Sequence, residues 1–195
     1  MLRIAIQNKG RLREQSIKFL KALGLKWSNN SNKLLNKCLN ADVEIISVRN
    51  SDIPIYVEQG VTDLGIVGEN VLIEGNYKIP IIQKLGFCRC SLVIAAPKSS
   101  KRLFGERIAT SYPTILKKYL QKNKISASII KINGSVEIAP SINLADAICD
   151  IAQTGKTLKE NKLQILDKIM DSQAVLIAGN NKLSKNVRNL LTKIL

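Results

Sequence analysis

The chain has 195 residues and a formal charge of +15, from 30 Lys and Arg against 15 Asp and Glu, and it contains no histidine. That composition excludes Ser-His-Asp and Cys-His nucleophile systems and any histidine general base, so chemistry must rest on carboxylates, Lys or Arg, hydroxyls, backbone dipoles and a metal ion. No apolar run approaches the roughly 18 residues of a membrane span, and Cys38, Cys88, Cys90 and Cys149 lack the spacing of a zinc site, so no membrane association and only inert thiols are expected.

On length alone the chain is one domain or two small ones. The start, Met1 to Gln7, reads as a strand rather than a signal peptide, which predicts a cytoplasmic protein. Leu2–Gln7, the amphipathic stretch 12–23, Val43–Val48, 53–59 and 64–67 then alternate in a βαβ rhythm. That rhythm predicts an α/β fold with mostly parallel strands and ligands at their carboxyl ends. A second series begins after Leu85. Segment 90–96 is a continuous apolar strand closed by Pro97, a polar loop covers 98–102, and strands at 107–109 and 129–132 flank a helix over 114–122. Segment 147–151 leads into a turn, Ala174–Ala178 suits a buried strand, and an amphipathic helix closes the chain over 183–195.

The two series predict two α/β lobes, residues 1–88 with 173–195 and residues 89–172, with the active site in the cleft between them. Loops from both lobes would grip a ligand, and hinge closure would exclude water. The segment Phe87-Cys88-Arg89-Cys90 reads equally well as a plain loop-to-strand transition.

The turn after the last strand of the second series is Asp150-Ile151-Ala152-Gln153-Thr154-Gly155-Lys156-Thr157. An apolar strand, a carboxylate and a Thr-Gly-x-Thr turn opening a helix make a phosphate cradle. Free backbone N–H groups and the positive end of the helix dipole face an anion, Gly155 lets the backbone approach, and two hydroxyls add donors. Asp150 would then take a ribose diol. A nucleotide P-loop is excluded, because its first glycine falls where this chain has Asp150. An ordinary N-cap by Thr154 accounts for the same residues, and on this segment alone the two readings are even.

The net charge invites a nucleic-acid hypothesis, but its distribution weakens it. Lysines are scattered, no arginine-rich tract exists, and aromatic residues are only 4%, too few to stack bases along a binding stripe. A solvated basic surface of a chain from an AT-rich genome is the simpler account. No nucleic-acid partner is expected, although such a surface steers anionic small substrates.

Further segments converge with the cradle. Lys9-Gly10-Arg11-Leu12 places a cationic turn after the first strand; Arg49 precedes Ser51-Asp52-Ile53-Pro54; Asp63-Leu64-Gly65-Ile66-Val67-Gly68 follows; and Asn133-Gly134-Ser135-Val136-Glu137 precedes the Asp150 strand. In this order and spacing, from about residue 2 to residue 180, the set resembles the catalytic subunit of the ATP phosphoribosyltransferase family, which opens histidine biosynthesis. The resemblance implies a two-lobed fold like the type II periplasmic binding proteins, and transfer of a phosphoribosyl group from phosphoribosyl pyrophosphate to N1 of ATP with Mg²⁺ required. At this length the chain resembles the short form, which dimerises and joins a regulatory subunit similar to histidyl-tRNA synthetase.

Carried over residue by residue, the resemblance assigns Thr154, Gly155, Lys156 and Thr157 to the 5′-phosphate, Asp150 to the ribose hydroxyls and Glu137 to the sugar or metal site. It assigns Lys9, Arg11 and Arg49 to the pyrophosphate and the ATP phosphates, with Mg²⁺ held mainly by substrate rather than by protein side chains. Each has a bland alternative. Lys9 and Arg11 would cover helix surface, Arg49 would pair with Asp52 or Glu44, and Glu137 would favour a helix dipole. The sequence departs from the family at Asn8, where Pro or Ser is frequent, and at Asn32, where many short-form members carry arginine; Asn32 removes a bidentate donor that Lys33 replaces only in part.

The implied chemistry suits a chain without histidine. Adenine N1 is unprotonated at neutral pH, so its attack on C1′ needs no base; alignment and neutralisation of the departing pyrophosphate carry the rate. A non-catalytic two-lobed binding or sensor module is the rival, because that fold serves both roles.

Overall fold

The structure, a computed structural model, describes residues 1–27, 34–98 and 106–179. Asn32, Lys33, most of the loop at 98–102 and the expected closing helix at 183–195 lie outside the described residues. The chain divides into two compact units, Met1–Cys88 with the chain from Gln173, and Arg89–Ser172.

The first unit is built on β1 (Leu2–Gln7), α1 (Arg11–Ala22), β2 (Leu35–Lys37), β3 (Val43–Val48), α2 (Ile53–Glu58), β4 (Leu64–Gly68), α3 (Glu69–Glu74) and β5 (Ile81–Lys84), with a last strand from later in the chain. The second holds β6 (Cys90–Pro97), β7 (Arg107–Thr110), α4 (Pro113–Lys122), β8 (Ser128–Lys131), β9 (Ala147–Ala152), α5 (Lys156–Glu160) and β10 (Leu163–Ser172). After Gln173, β11 (Ala174–Ala178) returns to the first sheet, whose order is β2-β3-β1-β4-β11-β5; the second sheet runs β10-β6-β9-β7-β8.

Strand alternation explains both cores. On β1, Ile4 and Ile6 face α1 with Leu12 and Leu20, while Ala5 faces α2 and α3 through Ile53, Val57 and Leu72. In the second unit, Leu92 and Ile94 of β6 pack beneath Leu116 and Leu120 of α4, whereas Val93 and Ala95 join Val136, Ile148 and Leu158 on the other face. Each sheet is covered on both sides, which is why its central strands read as unbroken apolar runs.

The expectation of mostly parallel strands is not met. Pairs β1–β3, β1–β4, β7–β8 and β7–β9 are parallel, but β2–β3, β4–β11, β5–β11, β6–β9 and β6–β10 are antiparallel. Apolar runs report burial and carry no strand direction. The strands entered after the two passages between units, β6 and β11, run against the βαβ strands of their sheets, whereas β5 and β10, each antiparallel to one of those two, run with them.

Candidate active site

The Thr-Gly-x-Thr turn lies between the end of β9 and the start of α5. Ile148 of β9 belongs to the core beneath α5, so Asp150, two residues on, faces the same way, and it stands opposite Val93 of β6. Burial pushes the Asp150 carboxyl up to about 6; a hydrogen bond from the Ile151 backbone opposes the shift and the nearby charge of Glu137 adds to it. Glu137 reaches this position on a single 3-10 turn, Val136–Ile138. Val136 anchors the turn in the same core, and left-handed Ser135 (φ 47) turns the chain into it.

Beyond Ala152 the chain turns through Gln153 and Thr154, with the Gln153 amide donating to the Arg89 carbonyl at 2.9 Å. The N-cap of α5 is Gly155, at φ 70 and ψ 6, and no side chain caps the helix. A Cβ there would meet nothing within 4 Å, so glycine is needed for its left-handed backbone and not for space. Thr154 is therefore not the N-cap; its hydroxyl accepts a long 3.4 Å bond from the Lys156 N–H. Thr154, Lys156 and Thr157 are exposed, and Leu158 seats the short helix in the core. Lys156 lies 3.8 Å from Glu160, an exposed pair of little energetic weight. First-turn N–H groups, hydroxyls and a lysine are thus presented beside a desolvated carboxylate.

A concavity of about 1250 Å³ adjoins this turn within the second unit. Thr154 and Gly155 border it, Val93 and Leu163 lie in its apolar floor, and Lys98, Lys159, Lys162 and Lys168 line it. Asp150 and Glu137 are not among its lining residues, so the open space lies beside the carboxylates and not over them. Sequence reasoning missed these lysines by assigning the charge to a scattered surface. The available signal was Lys156, Lys159 and Lys162 at three-residue spacing after the turn.

The remaining candidates belong to the first unit. Lys9 is exposed, and its carbonyl accepts the Gln7 amide at 2.7 Å. Gly10 (φ 78) is the N-cap of α1, and Arg11 is its first residue. Arg11 is exposed and its guanidinium hydrogen-bonds the Cys88 thiol, where it offsets part of the upward shift that burial imposes. Arg49 is exposed at the end of β3; the Arg3 Nε holds Glu44 at 3.0 Å and the Ser51 hydroxyl donates to Asp52 at 2.8 Å, so the two carboxylates expected to pair with Arg49 are engaged elsewhere. The structure thus gathers Asp150, Glu137 and the 154–157 turn in one unit and sets Lys9, Arg11 and Arg49 in the other.

The family model of HisG, ATP phosphoribosyltransferase, matches residues 49–195, three quarters of the chain and all of the Asp150 turn. The chain belongs to the ATP phosphoribosyltransferase family. An ATP phosphoribosyltransferase of Cytophaga hutchinsonii is 48% identical over 91% of this chain, and the chain spans 64% of that relative's length. Among solved structures, a chain of the ATP phosphoribosyl transferase (HisG:HisZ) complex from Thermotoga maritima superposes with a TM-score of 0.86 at 33% identity, covering all of this chain and 95% of the other. The alkanesulfonate-binding protein SsuA of Xanthomonas axonopodis pv. citri superposes at 0.61 with 13% identity, over 99% of this chain and 70% of that one, a likeness of fold alone. The α/β fold of the family, shared with the type II periplasmic binding proteins, is the one the sequence predicts.

Proposed function

We propose that the chain transfers the phosphoribosyl group of phosphoribosyl pyrophosphate to N1 of ATP, giving N1-(5-phosphoribosyl)-ATP and pyrophosphate, the first step of histidine biosynthesis. What carries the reading is Asp150 joined to an uncapped Thr-Gly-Lys-Thr turn in a chain of this family.

The N1 lone pair forms the bond to C1′ as the bond from C1′ to the pyrophosphate oxygen breaks, and that electron pair leaves with pyrophosphate. No proton need move at N1. Thr154, Gly155, Lys156 and Thr157 hold the 5′-phosphate, ionised Asp150 accepts from the ribose hydroxyls, and Glu137 lines the sugar. Lys9, Arg11 and Arg49 neutralise the departing pyrophosphate and the ATP phosphates. Mg²⁺, when bound, supplies further charge neutralisation on the pyrophosphate. Among the described residues no group of three His, Cys, Asp or Glu gathers, and two carboxylates beside a phosphate turn suit an ion held mainly by substrate oxygens and water.

Likeness to the Thermotoga HisG chain supports a HisZ-like, histidyl-tRNA-synthetase-related regulatory partner, with this chain as a homodimer inside the assembly. The cytoplasm is the proposed location; no described helix is long and apolar enough to cross a membrane.

The test is mass spectrometry of nucleotides after incubation with ATP, phosphoribosyl pyrophosphate, Mg²⁺ and inorganic pyrophosphatase, beside an Asp150→Asn, Thr154→Val double variant. The expected result is a phosphoribosyl-ATP adduct from the wild type and little from the variant. No adduct from folded protein, even with a HisZ subunit added, overturns the reading.

A further inference from the structure

The turn after β1 is held by a side chain of its own strand. The Gln7 amide donates to the Lys9 carbonyl at 2.7 Å, and because a carbonyl only accepts, the contact fixes Gln7 with its Nε2 toward the turn. On either side the backbone is anchored: the Asn8 N–H donates to the Val48 carbonyl at 2.8 Å, and the Gly10 carbonyl accepts the Glu14 N–H at 3.2 Å as α1 opens. Between these two anchors stands the Lys9–Gly10 peptide, and its oxygen is what Gln7 grips.

That grip has a direction. Across a trans peptide the C=O and the N–H lie on opposite edges of one plane, so drawing the Lys9 oxygen to Gln7 sends the Gly10 N–H away from it. Gly10 sits at φ 78 and ψ −174, a conformation open essentially to glycine alone, and a Cβ there would lie 3.7 Å from Gln7 Nε2, an ordinary contact. Glycine is needed for the backbone that this peptide orientation demands and not for space. No side chain caps α1, and the first N–H groups of a helix have no intrahelical partner. Lys9 and Arg11, both exposed, flank the same peptide.

We propose that Gln7 is a positioning residue of the transfer: by holding the Lys9 carbonyl it turns the Gly10 N–H outward as a donor to the departing pyrophosphate, between the side chains of Lys9 and Arg11. The inference deepens the phosphoribosyl-transfer reading and rests on it for the identity of the anion. Lys9 and Arg11 supply charge, which attracts any polyanion, whereas a fixed N–H supplies direction and selects where one oxygen sits. Released from Gln7, the peptide is free to rotate and present its carbonyl, the negative end of the dipole, to the same anion.

Lys9-Gly10 is the single Lys-Gly step in the sequence, so full-length protein carrying ¹³C-carbonyl lysine and ¹⁵N glycine gives one HNCO cross-peak, from this peptide alone. The experiment titrates inorganic pyrophosphate with Mg²⁺ into wild type, Gln7→Glu, which keeps the shape and loses the donor, and Gln7→Leu, which loses the donor without adding charge. Expected in the wild type is a saturable downfield shift of the Gly10 amide proton. In both variants the Lys9 carbonyl resonance is displaced before any addition, the proton shift is lost, and pyrophosphate binds about tenfold more weakly. A wild-type Gly10 proton that does not respond overturns the inference, as does the same response and affinity in Gln7→Leu. A response that depends on Gln7 in a protein forming no phosphoribosyl-ATP sustains the positioning and overturns the transfer reading instead.

Discussion

Asp150 stands directly across the antiparallel β6–β9 ladder from Val93, and the two side chains share one face of the five-stranded sheet. The pairing places a carboxylate among apolar neighbours, and its pKa rises to about 6 from an ordinary 3.8. A folded-state pKa above the unfolded one means stability is greatest below about pH 4, where Asp150 is protonated in both states, and falls as pH rises through about 6. Asp150→Asn should therefore stabilise the protein at pH 8 by on the order of 2 kcal/mol and lose that advantage below pH 4, as read by urea unfolding across pH. The same variant should abolish transfer, and wild-type affinity for phosphoribosyl pyrophosphate should weaken below about pH 6 as the acceptor is protonated. Equal stability of the two proteins at pH 8 would contradict the desolvation.

Gly155 tests the turn. Its φ of 70 lies where a Cβ is strained, yet the Cβ would meet no atom within 4 Å. Gly155→Ala should cost only about 1 kcal/mol in thermal unfolding. On the proposed reading, KM for phosphoribosyl pyrophosphate should nonetheless rise well beyond what that stability loss explains, because the N–H groups proposed to bind the 5′-phosphate shift with the backbone.

Arg11 is tied to Cys88, whose thiol burial raises and Arg11 lowers by charge and hydrogen bond, with Glu14 opposing. Arg11→Ala should slow iodoacetamide labelling of Cys88 at pH 8, followed by peptide mapping, since less thiolate remains. If Arg11 also meets the pyrophosphate, turnover should fall about 100-fold, close to 3 kcal/mol of barrier. A change in labelling without a change in turnover would remove Arg11 from the chemistry.

Gly65 in β4 is a packing position. A Cβ there would lie 2.7 Å from Ile53 Cγ2, 2.9 Å from Val57 Cγ2 and 3.1 Å from Ile177 Cγ1. Gly65→Ala should destabilise by about 1–3 kcal/mol through overpacking of α2 against the sheet, lowering the urea midpoint without changing the slope. No effect would mean that α2 shifts freely.

Some of this was legible in the residues and some was not. The strand, turn and helix around Asp150 were readable because the signal is local: an apolar strand, a carboxylate and a Thr-Gly-x-Thr turn occupy eight consecutive positions. The sequence left an N-cap by Thr154 as an equal alternative, since cap and cradle share residue types; backbone torsion removes that cap, putting Gly155 in its place. Strand direction was misjudged because apolar runs look alike in parallel and antiparallel ladders.

By itself the sequence determined the absence of histidine chemistry, the α/β rhythm, and the family through motifs spread from Lys9 to Thr157. Periodicity and turn chemistry act over a few residues, so they survive in a one-dimensional reading. Only the tertiary structure decided that Glu137 raises the pKa of Asp150, that Arg11 meets Cys88, and that Lys98 and Lys168 share a concavity with Lys159 and Lys162. Glu137 and Asp150 are 13 residues apart, Arg11 and Cys88 are 77 and Lys98 and Lys159 are 61, and what joins each pair is strand register and core packing, which no local pattern encodes.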